Sequence, residues 1–221
     1  AYIEPQVCTA WLEPSGTLVV STSTQGSFVT RRELARAFDL PLERVRVIAE
    51  PLGGAFGGKF ALVEPLAVAA HDVRRSRLSK GEHALVIGGG PIGQLIALVA
   101  QRNGAHVIVA EPNADRRAFA ARHGSLVVDP ITEDLDAIVQ EQTGGAGADV
   151  VFEVAGIAAT ALDATRHART RGRVVMVAIH PQPVPIDLHR VFWRELEILG
   201  ARVYEREDFE RAVSLIAEGA V

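Results

Sequence analysis

The chain has 221 residues, 48% of them hydrophobic, 23% charged and 5% aromatic, a balance that fits one or two globular domains and excludes disordered or collagen-like chains. Its 23 Lys and Arg stand against 27 Asp and Glu, a net charge of -4 without a basic stripe, which argues against a nucleic-acid partner. No apolar run reaches the ~18 residues of a membrane span, because Glu64 and Pro65 break one candidate and Gln94 another, so no membrane association is expected. The one cysteine, Cys8, excludes a disulfide framework and favours a reducing, cytoplasmic setting. The N-terminus has no signal-like core and the only methionine is Met176, so the chain reads as a fragment.

Residues 1–60 read as a small mixed α+β segment. Thr17 to Thr22 is rich in β-branched residues and Val45 to Ala49 suits a second strand. Between them Thr30 and Glu33 have capping-box spacing, Leu34 and Phe38 fall four apart, and Pro41 discourages continuation, which predicts a short helix beginning at Thr30. Residues 61–82 read as a linker holding a helix from Ala67 to Arg74.

From residue 83 the pattern becomes strand, turn, amphipathic helix, repeated at βαβ spacing, which predicts an α/β domain over 83–221. The candidate strands are His83–Ile87, His106–Glu111, Ser125–Val128, Asp149–Glu153, Gly172–Ala178 and Glu197–Val203, about six in a Rossmann doubly wound parallel sheet. Helices should end at Gly104, Gly124, Gly144 and Gly219, and the last should bury Phe209, Ala212, Val213 and Ile216.

Gly88-Gly89-Gly90-Pro91-Ile92-Gly93 follows an apolar strand and opens a helix, the context that gives G-x-G-x-x-G its meaning. Gly88 permits the tight turn, Gly90 lets the backbone approach a diphosphate, and Gly93 lets the helix pack on the strand. Pro91 suits a first helical position, and the helix N-terminus offers donors and a positive dipole end to the anion. An acid is needed about 20 residues on, at the end of the second strand, to bond the ribose hydroxyls, and Glu111 is there. Its charge favours NAD over NADP, while Arg116 and Arg117 nearby work against that preference.

Gly88 to Gly93 with Pro91-Ile92, the stretch Glu64-Pro65-Leu66-Ala67-Val68-Ala69 and the later Glu195-Leu196-Glu197-Ile198-Leu199-Gly200 resemble the zinc-dependent medium-chain alcohol, polyol and threonine dehydrogenases, over roughly residues 61–221. The resemblance implies that Gly90, Pro91, Ile92, Glu111 and Arg116 touch NAD, with Val154, Ala155 and Ala178 along the nicotinamide side. It implies a small alcohol or polyol as substrate. Glu64 matches a zinc ligand of that family, but the domain that supplies the other ligands has no counterpart here, so no stoichiometric zinc is expected. His71, His180 and Glu64 are the remaining candidates for moving a proton, each also readable as structural or solvated.

Gly53 to Lys59 satisfies G-x-x-x-x-G-K, but Phe60 stands where a phosphate loop needs Ser or Thr, so a nucleotide site is rejected there. Glu4-Pro5-Gln6, Ser23-Thr24-Gln25 and this glycine loop instead resemble the molybdopterin-binding subunit of xanthine dehydrogenase, aldehyde oxidase and carbon monoxide dehydrogenase. That resemblance places Gln25, Phe56 and Gly57 near a molybdenum centre. The family's other pterin contacts have no counterpart, so molybdopterin is not expected, and the same residues read structurally as a loop amide, a core plug and, for Cys8, a small buried hydrophobe. Both families share an Ala-Leu-x-Glu-Pro-Leu-Ala-like stretch, which points to a hybrid joined within residues 60–70.

The expected function is therefore that of an oxidoreductase chain binding NAD with little turnover alone. The alternatives are a molybdenum hydroxylase fragment and a non-catalytic dinucleotide-binding module. Self-association into a homo-oligomer stays open.

Overall fold

A computed structural model describes residues 8–22, 27–49 and 58–219. The chain divides into two compact units, Ala1–Leu62 and Val63–Val221.

In the first unit, strand β1 (Cys8–Leu12) pairs antiparallel with β2 (Leu18–Thr22), and β2 pairs parallel with β3 (Val45–Ala49). Helix α1 (Ser27–Ala37) makes the crossover that a parallel pair requires. Val19, Val20, Ala35 and Val45 form its small core. Arg31 clamps the crossover: its Nε donates to Val45 O at 2.6 Å and its Nη2 to Leu42 O at 2.7 Å. The helix begins at Ser27, so Thr30 and Glu33 lie within it rather than at its start. Glu33 pairs with Arg36 on the solvent side, and Phe38 is exposed past the last helical residue. β1 was not foreseen, although Pro14, Ser15 and Gly16 mark the turn that follows it, and Cys8 on it is exposed instead of buried.

Helix α2 (Gly58–Ser76), which belongs to the second unit from Val63 onward, runs through Pro65 and extends beyond the expected 67–74 at both ends. Leu66, Ala67, Ala69, Ala70 and Val73 are all buried, so this part of the supposed linker is core. The elements that follow are β4 (His83–Ile87), α3 (Pro91–Arg102), β5 (His106–Ala110), α4 (Ala114–Arg122), β6 (Leu126–Val128), α5 (Leu135–Gln142), β7 (Ala148–Glu153), α6 (Ala158–His167), β8 (Ala168–Met176), α7 (Leu188–Trp193), β9 (Glu197–Gly200) and α8 (Arg206–Ala217). The strands form one parallel sheet of six in the order β6-β5-β4-β7-β8-β9, the doubly wound Rossmann arrangement.

The sheet is apolar on both sides because helices cover both. Val86, Val109, Val150, Phe152 and Val175 pack with α2, α3, α4 and α8, while Leu85, Ile87, Ile108, Val151 and Val174 pack with α5 and α6. Gly104, Gly124, Gly144 and Gly219 all take positive φ, the left-handed exit glycine permits. On α8 the buried face is Asp208, Ala212 and Leu215, with Phe209 and Ile216 packed beside it; Val213 is 47% exposed.

Candidate functional site

The strand order reverses between β4 and β7, whose carboxyl ends flank a crevice, the usual ligand position of an open α/β sheet. On the β4 side the chain turns through Gly88, Gly89 and Gly90 into α3, with Pro91 at its first position and no side chain capping the helix N-terminus. The glycines do separate jobs. A Cβ on Gly93 would lie 1.9 Å from Gly88 O, and one on Gly88, whose φ is +109°, would lie 2.9 Å from Ala155 N. Both are demanded by the fold. A Cβ on Gly90 would meet nothing within 4 Å, so the space above it is open to a ligand.

Glu111, one residue past β5, is 4% exposed and holds the turn from the side. Its Oε2 accepts from Gly89 N at 2.7 Å and its Oε1 from Asn113 N at 2.9 Å. Each oxygen keeps a second lone pair, which suits two ribose hydroxyls. Arg116 is half exposed, with Nη1 3.8 Å from Glu111 Oε2, and Arg117 donates to Glu111 O at 2.8 Å while pairing with Asp129. Gln94 ties these pieces together, because its Nε2 donates to both Gly89 O at 2.9 Å and Arg116 O at 3.0 Å.

On the other side of the crevice, Val154 N donates to Ile87 O at 2.9 Å, which brings the segment after β7 alongside the glycine turn. A Cβ on Gly156 would sit 3.3 Å from the Ala178 Cβ, so the segments after β7 and β8 also meet. Beneath them Glu153 is fully buried. Its Oε1 accepts from Ala155 N at 3.1 Å, Gly156 N at 2.9 Å and Thr160 Oγ1 at 2.7 Å, and its Oε2 faces His180 Nε2 at 3.1 Å.

Gly88, Gly90, Pro91, Ile92, Gly93, Glu111 and Arg116 are thus gathered on one side, and Val154, Ala155 and Ala178 on the other. Glu153, Gln94 and Thr160 were missed. Glu153 carried a signal: a charged residue ending the apolar run Val150-Val151-Phe152 at the carboxyl end of a strand.

The remaining candidates lie elsewhere. His71 is buried against α8, with Nδ1 2.8 Å from Asp208 Oδ2. Glu64 is exposed on α2, and among the described residues no group of three or more His, Cys, Asp or Glu is placed to hold a metal ion. Gln25, Phe56 and Gly57 fall outside the described residues.

A family model described as zinc-binding dehydrogenase matches residues 91–218, from the first residue of α3 to the end of α8. The chain belongs to the zinc-binding dehydrogenase family. Within that family it is 58% identical over 161 residues to a 2-dehydro-3-deoxy-L-galactonate 5-dehydrogenase of Pseudoalteromonas atlantica, covering 73% of this chain and 47% of that one. The crystal structure of 2R,3R-butanediol dehydrogenase from Bacillus subtilis superposes with a TM-score of 0.68 at 35% identity, covering 72% of this chain and 46% of that one. A structure from Sinorhizobium meliloti 1021, described as a zinc-binding dehydrogenase bound to NADP, gives 0.67 at 34% identity, with 73% and 48% covered. The chain therefore spans about half the length of the zinc-binding dehydrogenases it matches. A second model, described as a molybdopterin cofactor-binding domain, matches residues 1–78.

Proposed function

We propose that residues 63–221 form the cofactor-binding half of a dehydrogenase that oxidises a secondary hydroxyl of a polyol or sugar acid, and that the cofactor is NAD. The observation that carries this is the division of labour among the glycines. Gly88 and Gly93 have no room for a side chain because of the protein itself, whereas Gly90 has room that the fold leaves unused. An open backbone position at an uncapped helix N-terminus suits a diphosphate.

Glu111 supports NAD over NADP. A buried carboxylate already fixed by two amides can accept from ribose hydroxyls, and it would repel a 2'-phosphate. Arg116 and Arg117 oppose this, but Arg117 is paired with Asp129 and bonded to Glu111 O, and Arg116, at 3.8 Å, is partly neutralised by the same carboxylate. The sugar-acid class rests on the 58% identity to the Pseudoalteromonas atlantica enzyme.

The chemistry that NAD supplies when bound is acceptance of a hydride. This chain's residues bind and orient it: the glycine turn and helix N-terminus take the diphosphate, Glu111 the ribose, and the segments after β7 and β8 the nicotinamide side. Removing the substrate's hydroxyl proton needs a Lewis acid or a base. Glu64 has no metal-ligand group around it among the described residues, His71 is engaged with Asp208 and His180 with Glu153, so we expect this chain by itself to oxidise alcohols and polyols far more slowly than a full-length relative.

The deciding experiment is titration of NADH fluorescence against wild type and Gly90→Val, with circular dichroism to verify that both are folded. Loss of binding in a folded variant is expected. Equal affinity for the two proteins would remove the proposed site.

A further inference from the structure

Among the described residues, the pair of fully buried Glu153 and largely buried His180 is a titratable cluster at the crevice that the proposed function has not used. It lies at the carboxyl end of β7, where Glu153 is in register with Ile87 on β4 and Met176 on β8. Three donors converge on Oε1 and the imidazole faces Oε2, so the carboxyl is held in one orientation under the segments 154–156 and 177–180.

The hydrogen-bond pattern also sets the pair's charge. Three donors meet at Glu153 Oε1, the arrangement of an accepting carboxylate, and opposite a carboxylate the ring nitrogen is the donor. The other nitrogen, His180 Nδ1, is buried with no hydrogen-bond partner among the described residues. A second hydrogen there would have no acceptor, and an unmet buried donor is unfavourable. A neutral imidazole bonded to a carboxylate leaves one net negative charge, away from bulk water, beneath the nicotinamide side of the crevice.

Oxidised nicotinamide carries a positive ring charge and reduced nicotinamide carries none. We infer that Glu153, oriented by His180, biases this site toward the oxidised form of the cofactor and is a specificity-determining residue for the redox state bound. The inference rests on the proposed NAD site. It differs from a purely structural role in one respect: loss of the charge should change NAD and NADH affinity unequally, whereas loosening the wall would weaken both together.

The test is equilibrium binding of NAD, NADH and ADP-ribose at pH 8 to wild type, Glu153→Gln and His180→Gln. ADP-ribose has no nicotinamide and reports the glycine turn and Glu111 alone; its failure to bind wild type would remove the cofactor site and this inference with it. With ADP-ribose bound equally by all three proteins, Glu153→Gln is expected to move the NAD to NADH affinity ratio toward NADH by about fivefold or more, since the charge acts through a medium less polarisable than water. His180→Gln, which keeps the carboxylate, is expected to leave the ratio within about twofold of wild type by the same argument. Glu153→Met, neutral and of similar length, replaces the glutamine variant should that not fold. An unchanged ratio in a folded neutral variant, or an equal shift in His180→Gln, overturns the inference.

Discussion

Asp72 on α2 is fully buried, and neither of its carboxyl oxygens has a hydrogen-bond partner among the described residues. Burial, reinforced by the negative charge of Asp208, raises its pKa from the ordinary 3.8 to about 7. The folded protein therefore holds a proton that the unfolded chain releases near pH 4, so stability falls as pH rises from about 4 to about 7 and stays reduced above that. A rise of this size corresponds to about 4 kcal/mol at full ionisation. Asp72→Asn removes the ionisation and keeps the shape, although its amide is itself a buried polar group that costs about 1–3 kcal/mol unpaired. That cost is independent of pH, so the informative quantity is the change in the variant's advantage between pH 5 and pH 8.5, expected to be about 2–3 kcal/mol in favour of the variant at the higher pH. In thermal unfolding followed by far-UV circular dichroism this is a gain of about 5–10 °C in the Tm difference. A difference that is the same at both pH values, or that grows toward acid, would refute the reasoning.

Asp208 should behave in the opposite sense. Burial works to raise its pKa, but hydrogen bonds from Arg74, the Glu205 amide and His71 outweigh it and hold the carboxyl at about 2, so the stability it contributes is present above about pH 4 and lost as pH falls toward 2. Gly93→Ala should fail to give folded protein by circular dichroism, because its Cβ would sit 1.9 Å from Gly88 O, whereas Gly90→Val should fold and lose only cofactor. Glu111→Ser should narrow the gap between NAD and NADP affinity; an unchanged ratio in parallel titrations would show that Arg116 or another group governs the choice. Arg173, buried on β8, donates to Ser76 O and Arg77 O at 2.8 Å and to Glu82 Oε1 at 2.5 Å, so Arg173→Met should lower the unfolding free energy in urea by about 3 kcal/mol.

The parallel sheet was legible because β4, β5 and β7 are largely apolar runs, and β4 matches its expected limits residue for residue, as β3 does in the first unit; β8, which carries Arg169, Arg171 and Arg173, begins at Ala168, four residues before its expected start. The expected strand ending at Ala178 ran past its true end at Met176 because Val177 and Ala178 continue the apolar run, the one ending at Val203 overran Gly200 by three residues, and the one ending at Glu111 overran by that single residue. α2 was misjudged since Pro65 reads as a breaker, yet the helix continues, and Leu66, Ala67, Ala69, Ala70 and Val73 are buried around much of its circumference, a pattern without the amphipathic stripe that marks a surface helix. Thr30 and Glu33 misled for a related reason: the spacing of a capping box is also ordinary spacing inside a helix. At the site, residues whose role follows from backbone geometry were readable, and the partners that depend on long-range pairing were not. Glu153 meets His180, and His71 meets Asp208, across separations that no local pattern encodes.

Five of the amides that frame the crevice are committed before any ligand arrives, while the first turn of α3 keeps its donors. Gly88 N is bonded to Ala110 O, Gly89 N to Glu111, Val154 N to Ile87 O, and Ala155 N and Gly156 N to Glu153. Fixing a residue's backbone costs about 1–2 kcal/mol of conformational entropy, and here that loss was incurred when the sheet folded. A ligand entering this crevice therefore gives up its own freedom and little of the protein's, so association should resemble the docking of two rigid bodies, with small changes in the mobility of the turn.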